Sequence, residues 1–398
     1  MVASSPVSSF VCILLVVMAI PAVISCAYVL MLTLLSKRLK PLSPSSRTLQ
    51  FDIIVPAHDE ASVIERTVAS LRQIDWPSDR FQVWVIADNC TDTTEALARR
   101  AGAEVLERRD ASRRGKGYAL EFAFRASRER AWAQAVVVVD ADAEVSSNLL
   151  AAFAARIENG NQAVQAHYGI LNPMASWRTR LITIAKAAFH IVRSRARERL
   201  QLSCGIRGNG WCVTHELLNR VPYQAYSLTE DLEYGIDVGL AGYRVAYADE
   251  AHSNAEMVTD ENVASTQRRR WEDGRFQLIR SRTIPLLLTA VRRADAVCLD
   301  LALDLMVLPL SYVALNVVLL ICGALIAVHW HLAHLFWLWL SCACAGSLLL
   351  YVMRGWQLSG IGARGLLDLA RAPGFVLWKI MLMLRSRTQG WVRTAREK

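Results

Sequence analysis

The residues best suited to chemistry stand in Ala135–Glu144, AVVVVDADAE, where Asp140 and Asp142 follow four consecutive valines. Such a run reads as a strand buried on both faces, the kind found inside a parallel sheet. In an extended chain residues i and i+2 point the same way, so both carboxylates are expected to leave the strand end together. Adjacent carboxylates repel unless positive charge lies between them. A hard divalent cation that keeps water and takes oxygen from a phosphate suits that place. Ligands also bind at strand carboxyl ends in open α/β sheets. The spacing points to a metal–diphosphate site, although Asp-Ala-Asp alone is equally a solvated turn.

Other clusters are expected at the same rim. One strand ends in Val55-Pro56-Ala57-His58-Asp59-Glu60 and another in Asp88-Asn89-Cys90-Thr91-Asp92. A carboxylate such as Asp88 can accept from a base or ribose. Arg113-Arg114-Gly115-Lys116-Gly117 brings cations and glycines to a helix start, suiting close approach to a phosphate with Lys116 as a point charge. It is not a Walker A loop, whose spacing is absent. Further on stand Gly208-Asn209-Gly210-Trp211, Thr229-Glu230-Asp231 and Gln267-Arg268-Arg269-Arg270-Trp271. Asp231 could take a proton as general base, Arg270 could clamp a leaving diphosphate, and Trp271 offers a flat face for a sugar ring. Each has a plainer explanation: a turn, a solvated basic face, a core aromatic.

The elements that must position these groups follow from the pattern. Strands are expected at Phe51–Pro56, Gln82–Ala87, Ala103–Glu107 and Tyr243–Ala248, besides the valine strand. Helices are expected at Glu60–Gln73, Asp92–Ala101 (with Thr91 as its cap), Gly117–Arg130 and about Asn262–Ser281. This alternation implies an α/β fold, a mostly parallel sheet with helices on both faces. Ser176–Arg199 reads as a basic amphipathic helix, lying either on a bilayer or against the sheet.

Composition adds a membrane. The 398 residues are 53% hydrophobic and 20% charged, with a mean hydropathy of +0.24, and the excess is concentrated at the ends. Phe10–Leu35 is long enough to cross a bilayer, which takes about 20 apolar residues. Lys37, Arg38 and Lys40 follow it rather than precede it, unlike a signal peptide. Val297–Val328 and Leu335–Met353 are expected as two more crossings, joined by His329–His334. No Lys or Arg occurs from Ala294 to Met353. The charge tally therefore puts the central domain in the cytoplasm on a multi-pass inner-membrane protein. Pro285–Arg293 and Gly365–Leu384 read as interfacial, the latter with a fourth span as the alternative. Asp300 and Asp304 could line a polar path or sit at headgroup level. The expected domains are 1–40, 50–282 and 283–398. The formal charge of +9 fits anionic headgroups; no nucleic-acid-binding signature accompanies it. The nine cysteines form no CxxC pair, so neither a zinc site nor a disulfide framework is expected.

In their order and spacing, VPAHDE, DNCTD, RRGKGYA, DAD, RGNGW, TED and QRRRW resemble the motifs of family 2 glycosyltransferases. The resemblance is strongest to the membrane-embedded branch of cellulose, chitin-oligosaccharide and hyaluronan synthases. It covers about Phe51–Ser281, and TED followed by QxxRW is its most specific part. It implies a GT-A fold, a UDP-sugar donor, Mg²⁺ or Mn²⁺, and an inverting mechanism. Carried onto matching positions, Glu60 and Asp88 would hold the nucleoside and Lys116 the diphosphate side. Asp140 and Asp142 would hold the metal, with Asp140 also toward the donor. Asp231 would be the base and Glu230 would shape its loop. Gln267 and Arg270 would touch the diphosphate, and Trp271 and Gly208 the acceptor. Asn89 departs from a second acidic residue, and Gly208-Asn209-Gly210 from Gly-Thr/Ser-Gly. An appended cyclic-dinucleotide domain is not expected.

The expected function is thus transfer from a UDP-sugar to a saccharide acceptor. Three crossings are few for a one-chain polymer channel, which keeps a lipid acceptor as the alternative. An inactive nucleotide-sugar-binding scaffold is a minor rival, and a nucleotidyltransferase would leave Trp271 and the apolar spans unexplained. Membrane lipids are expected partners, and a homo-oligomer is compatible with the sequence.

Overall fold

The computed structural model describes residues 6–257 and 261–374, the side chains of 261–270 excepted. Among them eight strands form one sheet: β1 (Phe51–Ala57), β2 (Phe81–Asp88), β3 (Glu104–Arg108), β4 (Ala135–Val138), β5 (Ala143–Val145), β6 (Ala163–Ile170), β7 (Trp211–Thr214) and β8 (Val245–Ala255). Their order is β3-β2-β1-β4-β7-β6-β8-β5. The first four are mutually parallel, with Phe51 opposite Phe81 and Ile54 opposite Val138. The sheet then turns mixed: β7 runs antiparallel to β4 and β6, β8 runs parallel to β6, and β5 runs antiparallel to β8.

Alternation explains why helices cover both faces. On β1, β2 and β4, Ile53, Val55, Val83, Val85, Val137 and Val139 join one core with Ile64, Val68, Leu71 and Phe153. Their neighbours Ile54, Trp84, Ile86, Val136 and Val138 join the other core with Leu120, Phe124 and Tyr234. With successive side chains on opposite faces, a strand covered on both sides must be apolar throughout.

Several elements differ from expectation. The expected Asp92–Ala101 helix runs from Thr94 to Arg100. Its first amides are met by Asp92, whose Oδ1 accepts from Thr94 N at 2.9 Å; Thr91 instead donates to Asp59. The helix that carries Trp271 spans Glu261–Arg293 and runs through Pro285, so Pro285–Arg293 is its end and not a separate segment. The second expected crossing is broken: one helix covers Ala296–Met306, and a separate helix Leu310–His329 starts after Pro309. Proline lacks the amide that a helix interior needs. Strand β6 (Ala163–Ile170) and the helix Glu230–Leu240 were not foreseen, although turn residues such as Asn159-Gly160 and Gly242 flank them.

The chain divides into two units. One contains the sheet. The other contains the helices Pro6–Leu34, Leu310–His329 and Phe336–Ser359, each long and apolar enough to cross a membrane, together with Arg180–Ala196. In this second unit Gly355 brings its helix against Ala188 and the Ile184 carbonyl; a Cβ on Gly355 would stand 2.8 and 2.9 Å away. The Arg180–Ala196 stretch thus packs on an apolar helix of its own unit. Arg193 there pairs with Asp304 at 2.8 Å and Arg180 with Asp368 at 2.5 Å. In the sheet unit, Arg197 pairs with Asp300 at 2.9 Å. Asp300 and Asp304 are therefore buried ion-pair partners of arginines. The second half of the interfacial segment expected at Gly365–Leu384 lies outside the described residues, and a short helix Ala363–Leu369 runs into its first half.

Candidate functional site

The parallel strands carry their carboxyl ends to one edge, and three loops close on it. Asp140 and Asp142 do not continue the strand: β4 ends at Val138, and the Asp140 carbonyl accepts from Ala143 N at 3.1 Å, closing a turn. The extended-chain argument for two parallel carboxylates is therefore replaced by a turn. Asp140 and Asp142 still share surroundings, because both lie near enough to the Tyr168 phenol to raise its pKa.

The second loop is RGNG. Gly210 N donates to the Val138 carbonyl at 3.0 Å, and Asp140 N donates to Asn209 Oδ1 at 3.0 Å. Gln165 on β6 donates to the Asn209 carbonyl and accepts from Arg207 N, both at 2.8 Å. Gly208 has φ +83°, and a Cβ there would stand 3.3 Å from the Tyr168 ring and 3.7 Å from Asp231 Oδ2. Glycine suits that left-handed backbone, and it keeps the space before Asp231 open.

The third loop joins the lysine and TED segments. Gly115, with φ +128°, precedes the helix Lys116–Arg130. Gly117 lies so close to Ala225 and Tyr226 that a Cβ would stand 3.2 Å from Tyr226 Cα, and Tyr118 stacks on Tyr226 with centroids 4.5 Å apart. Lys116 Nζ consequently reaches Asp140 Oδ1 at 2.6 Å, Glu230 Oε1 at 3.6 Å and the Gly208 carbonyl at 3.0 Å.

Electrostatics follow from crowded acids. Burial pushes the Glu230 carboxyl up to about 7; Lys116 opposes this and Asp231 reinforces it. Asp231 is raised by burial and by Asp140, again against Lys116. Tyr168 is held well above the usual phenol range by burial and by Asp140, Asp142 and Asp231, so it remains a neutral phenol. Sequence reasoning missed Tyr168, since a tyrosine in HYGI carries no motif; only the pairing of β6 with β8 brings it here.

Of the remaining expected residues, Asp88 and Glu60 lie at the ends of β2 and β1. Asp88 is buried at the end of β2, and its Oδ1 accepts from Arg108 Nη1 at 2.6 Å and Asn89 Nδ2 at 3.0 Å. Burial outweighs Arg108 and raises its pKa. Arg108 was not foreseen. Glu60 lies in the turn after β1, its amide donating to Thr94 Oγ1 at 2.7 Å. Trp271 is 38% exposed. It stands one helical turn before Gly274, whose Cβ would meet Thr229 Oγ1 at 2.9 Å. The backbone helix passes through Gln267 and Arg270, but their side chains lie outside the described residues.

Asp59, Cys90 and Asp92 form a group close enough to hold an ion. Yet Asp59 Oδ1 already accepts from Thr91 N at 2.7 Å and Asp92 N at 3.2 Å, and burial raises the Cys90 thiol to about 11. These hydrogen bonds tie Asp59 to the turn after β2.

Comparison with known proteins agrees with this architecture. The profile of glycosyl transferase family 2 matches residues 52–212, and that of glycosyl transferase family group 2 matches residues 135–385. A beta-monoglucosyldiacylglycerol synthase of Synechocystis sp. is 28% identical over 238 residues, 57% of this chain and 48% of that protein. Its counterpart in Nostoc sp. is 26% identical over 232 residues, 56% of this chain and 48% of that protein. The chain thus spans about half the length of these relatives. A mannosyltransferase of Pyrobaculum calidifontis, solved with GDP-Man and Mn²⁺, shares the fold at TM-score 0.51 and 19% identity, covering 86% of this chain and 98% of that one. With the group 2 profile spanning more than half of the chain and the fold in agreement, this protein belongs to the family 2 glycosyltransferases.

Proposed function

We propose that the protein is an inverting, membrane-anchored transferase that moves a hexose from a UDP-sugar to a lipid hydroxyl. The observation that carries the transfer reading is the convergence of Lys116, Asp140, Glu230 and Gly208 through one ammonium, with Asp231 Oδ2 beside Gly208. Asp231 is half-buried and more basic than a solvated carboxylate, which suits a group that accepts the acceptor's hydroxyl proton. Glu230 fixes the loop by pairing with Lys116. In-line attack from the Asp231 side, opposite the leaving UDP, inverts the anomeric centre.

A divalent cation fits this rim. Asp140, Asp142, Glu230 and Asp231 are carboxylates drawn to one place; the pKa of Glu230 and Asp231 is raised chiefly by burial, with repulsion from the neighbouring acids adding to it. Their oxygens are the hard donors that Mg²⁺ or Mn²⁺ takes, and Asp140 and Asp142 would hold it. When bound, the cation offsets charge on the departing diphosphate. Lys116 would contact the diphosphate, with Gln267 and Arg270 from the helix opposite. Glu60 and Asp88 would orient the nucleoside, Asp88 fixed by Arg108. Gly208 and Trp271 would face the acceptor.

The lipid acceptor is favoured by the relatives named for glucosyldiacylglycerol synthesis and by the apolar helices in the same chain. A saccharide acceptor, the first expectation from the sequence, is supported by the synthase-like motif order. The catalytic edge faces the cytoplasm on this reading, as the Lys37, Arg38 and Lys40 cluster implies. Membranes holding the protein are incubated with radiolabelled UDP-sugars and then extracted. Label in the organic phase supports the lipid acceptor. Label confined to an aqueous or insoluble saccharide overturns it in favour of the second reading.

A further inference from the structure

We infer that Lys116 is a tethered placeholder for the divalent cation, making metal binding conditional on the nucleotide diphosphate; this rests on the metal reading above. Its ammonium lies 2.6 Å from Asp140 Oδ1, and the Gly208 carbonyl at 3.0 Å and Glu230 at 3.6 Å hold it there. Lys116 and Asp140 are each only about a quarter exposed, so water screens the pair weakly. An ammonium and a divalent ion a few ångström apart repel strongly in such surroundings. A metal ion arriving alone must therefore dislodge Lys116 from Asp140 and leave it facing the ion.

A diphosphate changes that balance. It brings negative charge that a lysine binds as a point charge on a flexible four-carbon stem. The ammonium can exchange Asp140 for a phosphate oxygen, freeing the carboxylate for the metal. Between turnovers the same lysine keeps Asp140 and Glu230 from repelling one another. Metal and UDP then bind with positive coupling, which is reciprocal by thermodynamic necessity.

The test uses the full chain in detergent and reads Mn²⁺ binding by electron paramagnetic resonance, with and without UDP. Wild type is expected to bind Mn²⁺ alone at least about tenfold more weakly than with UDP, given the repulsion of like charges. Lys116→Met is expected to bind Mn²⁺ alone roughly tenfold or more tightly than wild type, and to lose most of the coupling. Lys116→Arg is expected to keep the wild-type pattern. Equal Mn²⁺ affinity of wild type with and without UDP overturns the placeholder role even should Lys116→Met fail to fold. So does a folded Lys116→Met that binds Mn²⁺ no more tightly. Mn²⁺ binding with UDP that survives Asp142→Ala overturns instead the metal assignment beneath it.

Discussion

Gly274 and Thr229 touch so closely that a Cβ on the glycine would stand 2.7 Å from the threonine Cγ2 and 2.9 Å from its Oγ1. Thr229 opens the TED turn and Gly274 follows Trp271 by one helical turn, so this contact sets how the two motifs face each other. Arg282 extends the seam, reaching Asp237 at 3.2 Å and Glu233 at 3.5 Å.

Gly274→Ala should force the two elements apart. A mid-helix alanine gains about 1 kcal/mol over glycine in propensity, so any loss reports the clash. We expect turnover to fall roughly tenfold or more, since small misplacements at a catalytic site are costly, with UDP affinity little changed. Adding Thr229→Ala should restore part of the activity. Steady-state kinetics of the two single variants and the double variant, with UDP calorimetry, read the outcome; no recovery in the double variant would count against this contact.

Asp231→Asn keeps the shape and removes the base. Loss of a general base typically costs about 10²–10⁴-fold, so transfer should drop by that order while UDP still binds. Turnover near the wild-type rate would remove Asp231 from the mechanism.

Far from the rim, Ser127 Oγ donates to Asp52 Oδ2 at 2.5 Å and lies 2.9 Å from His215 Nε2. Burial pushes Asp52 up to about 6 and His215 down to about 4. The folded state holds the Asp52 proton more tightly than the unfolded chain, so this group makes stability fall as pH rises from about 4 to 6. His215 binds its proton less tightly when folded, so it makes stability rise from about pH 4 to 6.5. The two slopes nearly cancel. Asp52→Asn leaves only the second, and stability should then rise by about 3 kcal/mol across that window, at about 1.4 kcal/mol per unit. Chemical denaturation in detergent at several pH values checks this; a flat profile in the variant contradicts it.

Asp300→Ala should remove the carboxylate that pairs at 2.9 Å with the fully buried Arg197 guanidinium. Breaking a buried pair on one side costs about 3–5 kcal/mol. Asp300→Leu with Arg197→Met should recover most of it, because neither charge is then left uncompensated. Thermal unfolding of the single and double variants distinguishes this from simple loss of packing.

Much of the fold is legible in residue pattern. The two-faced apolar strands around Ile53 and Val137 needed nothing beyond alternation, and the apolar spans nothing beyond length. Motif identity, too, resides in local spacing: DAD, TED and QRRRW stand out as written. Pattern failed where long-range contact decides. Asp140 and Asp142 were expected on a straight strand, yet the chain turns after Val138 because β5 must leave to pair with β8. The arginines of the basic helix, Arg193 and Arg197, pair with Asp304 and Asp300 more than a hundred residues away, contacts that no local pattern announces.

The sequence by itself determined which groups can accept a proton, hold a cation or cross a bilayer, since those capacities belong to side-chain type and local run. Tertiary structure decided that Lys116 lies between Asp140 and Glu230, that Tyr168 joins the carboxylates, and that Gly208 leaves room before Asp231. Those are distances between residues remote in the chain, and they are set by strand order and by the close approaches that glycine permits.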